Sequence, residues 1–126
     1  MEKYPSIQIV FDIHRDSIVY EDKTKAKVVT EINGRKAAQL MFVIGTNGGG
    51  LYHPNWKSNL KFAIELQEKA NEMYPGLFKP IIVRNSRYNQ HLGKAACIIE
   101  VGATGNTLEQ CLISMKYLAK VFNDLY

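Results

Sequence analysis

Asp12, His14, Arg15 and Asp16 close an apolar segment, Ile7-Gln8-Ile9-Val10-Phe11-Asp12-Ile13-His14, and their types and spacing are the first in this chain to suggest chemistry. Side chains alternate across a strand, so Ile7, Ile9, Phe11 and Ile13 share one face and Asp12 and His14 share the other. A second apolar segment, Lys94 to Val101, carries Glu100 near its end. Open α/β sheets build ligand crevices at the carboxyl ends of their strands, so parallel neighbouring strands would bring His14 and Glu100 together. A neutral imidazole is a good zinc ligand, and a nearby carboxylate can serve as general base for a water. Asp12 can orient the ring as a hydrogen-bond acceptor. Each residue also has a plainer reading: a strand-end histidine satisfied by polar neighbours, and Glu100 in a salt bridge to Arg15, Arg84 or Lys94.

Other residues offer less. Arg15 can clamp a substrate carboxylate through its bidentate geometry, or pair with neighbouring acids. His53 precedes Pro54, and His91 lies in Tyr88-Asn89-Gln90-His91-Leu92; neither makes an HExxH or other metal spacing with His14. Tyr52, Trp56 and Tyr88 can line a groove or pack as core. The run Gly45-Thr46-Asn47-Gly48-Gly49-Gly50 lacks the Gly-Lys-Ser/Thr ending of a phosphate loop, and reads as a mobile surface loop with a site lid as the alternative. Cys97 and Cys111 fall in apolar contexts, where free thiols behave as small hydrophobes. Two cysteines support neither a disulfide framework nor a CxxC metal site.

The elements that must position these residues follow from pattern. A strand covers roughly 6–13, and 14–26 reads as a polar loop. Lys27–Ile32 and Ala37–Ile44 flank Asn33-Gly34, a strong hairpin signal because a type I′ turn needs positive φ at both central residues. Asn55 is placed to cap a helix reaching Tyr74, with Leu60, Ala63, Ile64, Gln67, Ala70 and Met73 inward and Pro75-Gly76 as its stop. Pro80–Val83 is a short strand, Arg84–Gly93 a polar loop and Lys94–Val101 another strand. After the turn Gly102–Gly105, Asn106 caps a last helix, and Glu109 completes a capping box. Its expected inward stripe is Leu108, Cys111, Leu112, Met115, Leu118, Phe122 and Leu125. Strand, tight turn and capped helix in succession make an α/β unit.

The bulk numbers bound the class. At 126 residues, 46% hydrophobic and 22% charged, the chain fits one globular domain, residues 1–126, with a core that needs no staples. No apolar run approaches the ~20 residues of a membrane span, and residues 1–6 lack the shape of a signal peptide. A net charge of +4 could draw an anionic partner, but the basic residues are scattered and no nucleic-acid signature appears, so no nucleic-acid partner is expected.

Asp12-Ile13-His14-Arg15-Asp16, the Gly45–Trp56 loop with Asn59-Leu60 beyond it, Tyr88-Asn89-Gln90, and Ile99-Glu100-Val101-Gly102 with Asn106-Thr107 occur in an order that resembles the catalytic domain of the stage II sporulation protein P family. Ile99-Glu100-Val101-Gly102 through Asn106-Thr107-Leu108-Glu109 also looks like the carboxyl-terminal motif of the wider zinc-dependent N-acetylmuramoyl-L-alanine amidases. The resemblance implies an α/β fold with a mixed, mostly parallel sheet and flanking helices, amidase-like (phosphorylase/hydrolase-like) and truncated at the N-terminus. It implies zinc as cofactor with His14 as a ligand and Glu100 as the catalytic glutamate, Arg15 and Asn89 being substrate-binding candidates. The implied reaction is hydrolysis of the muramoyl–alanine amide of peptidoglycan by zinc-activated water, together with cleavage of peptide cross-links, during engulfment.

The implied setting is a membrane-anchored, extracytoplasmic full-length protein partnered with stage II sporulation proteins D and M. In the family another metal-binding histidine and a metal-binding glutamate lie upstream, and this chain has neither. A catalytic zinc normally takes three protein ligands. The chain alone is therefore expected to bind zinc weakly and hydrolyse nothing, and an unpaired sheet edge is expected to invite a homodimer. The alternative from another class is a non-catalytic module that binds peptidoglycan or a protein.

Overall fold

The computed structural model describes residues 6, 8–16, 29–50, 52–85, 88, 90, 95–103 and 105–125. Along them run β1 (Ile9–Asp16), β2 (Val29–Ile32), β3 (Arg35–Ala38), β4 (Leu40–Gly45), α1 (Trp56–Met73), β5 (Ile82–Arg84), β6 (Ala95–Ala103) and α2 (Leu108–Leu125). Valine and isoleucine recur through β1, β4 and β6, with phenylalanine in β1 and β4, and such side chains suit a pleated, packed surface. These strands form a sheet in the order β1-β6-β4-β5. β1 is parallel to β6 and β5 parallel to β4, while β4 and β6 are antiparallel, so the sheet is mixed as expected. β1 continues to Asp16, which puts His14 inside the strand rather than at the start of a loop.

The Asn33-Gly34 hairpin forms: Asn33 (φ 52) and Gly34 (φ 77) take the left-handed conformation and join β2 to β3. The arm expected to run unbroken from Ala37 to Ile44 is instead two strands, because the chain turns a corner at Gln39. Its side-chain amide donates to the Gly76 carbonyl at 3.1 Å, and its carbonyl accepts from Gly102 N at 2.9 Å. β3 therefore stays with β2 in a separate two-stranded sheet, and β4 enters the main one.

The core lies on one face of the main sheet. Leu40, Phe42, Ile44, Cys97, Ile99 and Val101 meet Phe62, Ala63, Leu66 and Ala70 of α1 and Tyr117, Leu118 and Val121 of α2. Both helices are rotated from the expected stripes. α1 buries Asn59, Phe62, Ala63, Leu66 and Ala70, while Ile64 is exposed. In α2, Leu108 and Leu112 are exposed, and Gln110, Ile113, Ser114 and Tyr117 face inward. The reason is polar: Asn59, Gln110 and Ser114 spend their side chains on hydrogen bonds inside the fold. Their burial thus costs little and turns each helix off its most hydrophobic face.

Helix α1 begins after Asn55 and ends at Tyr74, as the pattern predicts, although Asn55 makes no side-chain cap bond. The box at the start of α2 is shifted by one residue from expectation. Thr107 Oγ1 accepts from Gln110 N at 3.1 Å, and Gln110 Oε1 accepts from Thr107 N at 3.2 Å. That is the reciprocal cap, built on Thr107 and Gln110 rather than Asn106 and Glu109. Asn106 instead closes the turn after β6, where its Oδ1 accepts from Ala103 N at 2.8 Å.

The glycine run after β4 is docked, which departs from the mobile loop expected. Thr46 N donates to the Arg84 carbonyl at 3.0 Å, and a Cβ on Gly49 would lie 2.5 Å from the Asn85 carbonyl oxygen. Only glycine allows the loop to lie this close to the end of β5. Gly49→Ala is accordingly expected to lower stability by about 1–3 kcal/mol, the range for overpacking against an unyielding neighbour. Urea unfolding at constant slope measures it.

Candidate functional site

Strand alternation divides the sheet chemically. The face away from the helices has a small apolar floor of Met41, Val43 and Ile98, with Ile82 beside it. Polar groups rise from this floor at the same register. In the parallel pair β1/β6, Asp12 is opposite Ile98 and His14 opposite Glu100; across β4/β6, Glu100 is opposite Met41. Neighbouring strands lie ~4.8 Å apart, so the imidazole and the carboxylate rise side by side. A cleft of about 280 Å³ opens above them, lined by Asp12, His14, Met41, Val43, Arg84, Tyr88, Ile98 and Glu100. The conditional expectation from the sequence, that parallel neighbours would unite His14 and Glu100, is what the topology delivers.

His14 Nε2 donates to Asp12 Oδ1 at 2.8 Å, with half the imidazole side chain in solvent. That hydrogen bond, then the Asp12 charge and more weakly the Glu100 charge, holds the ring's pKa above its ordinary 6.5. Asp12 thereby takes the orienting role anticipated for it and fixes which ring nitrogen carries the proton. A raised folded-state pKa stabilises the fold fully below the unfolded value near 6.5, and that contribution is lost as pH rises through the folded pKa. Solvent at this exposed pair keeps it small. NMR titration of the His14 ring is expected to give a value above 6.5, and Asp12→Asn to bring it down.

Other expected residues lie elsewhere. Arg15 Nη2 donates to Cys111 Sγ of α2 at 3.7 Å, away from the cleft, so the structure does not join it to His14 and Glu100. Asn89, His91 and Lys94 fall outside the described residues. His53 is buried away from the cleft and Tyr52 is solvent-exposed. Both cysteines are free and buried, and burial pushes the Cys97 thiol up to about 12, which suits its reading as a small hydrophobe.

Two cleft residues were only weakly signalled. Arg84 was legible as an ion-pair partner for Glu100, but it stands at the end of β5 and contributes a cation to the cleft wall. Tyr88 carries a φ of 53, rare for a bulky side chain, and lines both this cleft and an adjoining one of about 250 Å³.

Zinc can be tested against these groups. Among the described residues, no set of three or more His, Cys, Asp or Glu is arranged to hold a metal. His14 already gives Nε2 to Asp12. The described residues therefore do not fit a three-ligand zinc centre by themselves. What they can do is orient an imidazole, present a carboxylate to water beside it, and offer a guanidinium to an anion.

The family model described as stage II sporulation protein P (SpoIIP) matches residues 1–123. Stage II sporulation protein P of Bacillus subtilis (strain 168) is 31% identical, over 96% of this chain and 29% of that protein. The chain thus spans less than a third of the length of that curated relative. No solved structure matches. The motifs around His14 and Glu100, the span of the family match and the identity to the Bacillus protein agree: the chain belongs to the stage II sporulation protein P family.

Proposed function

We propose that this chain forms part of the active centre of a sporulation peptidoglycan hydrolase that cleaves the N-acetylmuramoyl-L-alanine amide. The observation that carries the reading is the register of His14 opposite Glu100 on the open face of the sheet, above a cleft. Family membership adds the sporulation role. In this reading Glu100 is the general base. It takes a proton from the attacking water as the new C–O bond forms, then returns it to the alanine nitrogen as the C–N bond breaks. Asp12 holds the His14 ring in place. Half-burial of Glu100 beside Met41 and Ile98 limits competing water at the carboxylate.

Zinc is proposed as the metal of the full-length protein, with His14 one of its ligands and the others supplied from outside the described residues. The amidase-like fold assignment, cleavage of peptide cross-links, action during engulfment, membrane anchoring outside the cytoplasm, and partnership with stage II sporulation proteins D and M belong to the same proposal. Among the described residues no helix is long and apolar enough to cross a membrane. Pairing of two copies through the edge strand β1 is proposed as the route to a homodimer.

One observation favours a second reading, a non-catalytic module that binds peptidoglycan or a protein: the described residues group no three metal ligands. Incubating purified peptidoglycan with the full-length natural protein separates the two. The hydrolase reading expects soluble peptide from wild type and none from Glu100→Gln. Retention on peptidoglycan with no release by wild type overturns it and leaves the binding module.

A further inference from the structure

Arg84 is the cleft residue for which the hydrolytic step has no use. It ends β5, an edge strand, with Gly45 of β4 as its partner, and its carbonyl accepts from Thr46 N at 3.0 Å. The backbone is thus tied to β4 and its continuation, and Gly48 and Gly49 let the loop after β4 lie directly against Asn85. Ile82, two residues earlier, packs on the floor of the open face, so alternation sends the Arg84 side chain to that same face. There it lines the cleft with Asp12 and Glu100, yet among the described residues no carboxylate pairs with its guanidinium. A permanently charged fork, held on a fixed backbone and paired with no carboxylate among the described residues, is suited to bidentate capture of a carboxylate.

We propose that Arg84 anchors a carboxylate of the substrate peptide, which makes the site selective for acidic peptides attached through the scissile amide. The identity of that amide rests on the hydrolase reading above; the anchoring does not. Register sets the distance. Glu100 is opposite Met41 and Arg84 opposite Gly45, so the two lie two strand spacings apart across the sheet and four residues apart along it. At ~4.8 Å per strand and ~3.3 Å per residue, the Cα diagonal is about 16 Å. Side chains leaning into a shared cleft shorten it to roughly 10 Å, about three residues of extended chain at ~3.4 Å each. The anchored carboxylate therefore belongs to the second or third residue beyond the scissile bond.

Tyr88 stands between the two compartments and shares Asp12 and Ile98 with both. Its left-handed backbone is the kind of local strain that persists where surrounding structure fixes a side chain for a purpose. In this arrangement its ring forms part of the wall of the cleft that also holds Glu100 and Arg84.

The test uses the full-length natural protein and a synthetic muramoyl tripeptide, prepared with the carboxylates of its second and third residues free and, separately, amidated. Binding is read by calorimetric titration, and cleavage by KM and kcat. Wild type is expected to bind the free acid at least tenfold more tightly than the amide. Arg84→Gln is expected to lose that preference to within twofold, and Arg84→Lys to keep part of it. Because Arg84 is exposed, an unchanged melting temperature will certify the variants. Equal binding of acid and amide by wild type, retention of the preference by Arg84→Gln, or failure of either peptide to bind overturns the anchor. Preference for the acid without cleavage sinks the hydrolase reading while the anchor stands; cleavage without preference does the reverse.

Discussion

Glu100→Gln in the full-length protein is expected to reduce peptide release from peptidoglycan by about 10²–10⁴-fold, the contribution typical of a positioned general base. The substitution keeps size and shape, so the strand register that sets Glu100 between Met41 and His14 survives. What is lost is the ability to accept a proton from water. Two controls keep the result specific. Thermal unfolding is expected to stay close to wild type, and the His14 pKa to fall slightly, because the Glu100 charge is the weakest of the influences that raise it. A variant that unfolds early instead, or one that keeps full activity, removes Glu100 from the chemistry.

The second large effect is on stability. Asn59→Ala is expected to cost roughly 2–4 kcal/mol, because two buried hydrogen bonds disappear and the backbone groups they served stay buried. For a domain of this size that is on the order of 10 °C in melting temperature. Asn59 Oδ1 accepts from Ala96 N at 3.0 Å, and its amide donates to the Gln90 carbonyl at 3.0 Å. Gln90 in turn accepts from Gly45 N at 2.7 Å and donates to the Val43 carbonyl at 2.9 Å. The β4–β6 pairing ends at Val43 and Ile98, and these two amide side chains take up backbone groups at and beyond that end. Gln90 and Ala96 also line the second compartment at this end of the sheet. Differential scanning calorimetry checks the prediction, and a shift under 2 °C contradicts it.

This network also explains where sequence reading ran short. Apolar alternation in Ile9–Ile13 and Ala95–Val101, the Asn33-Gly34 turn and the Pro75-Gly76 stop were legible because each is a local signal with a single backbone consequence. His14 and Glu100 were legible as ionisable residues on otherwise apolar strands that a parallel pairing could unite, although β1 runs on to Asp16 and β6 to Ala103. The buried faces of α1 and α2 were not. Asn59, Gln110 and Ser114 look like surface residues until their partners, Ala96 N, Thr107 N and the Gln110 carbonyl, are known. The corner at Gln39 was hidden likewise, since its partners at Gly76 and Gly102 are far along the chain. Arg84 in the cleft depended on the register of a three-residue strand, which carries too little pattern to read.

The most direct test of the central claim is mass analysis of what the full-length natural protein releases from purified peptidoglycan. The account predicts peptides bearing a free amino-terminal alanine, with the glycan strands intact. Absence of any released peptide, or release of glycan fragments alone, contradicts it.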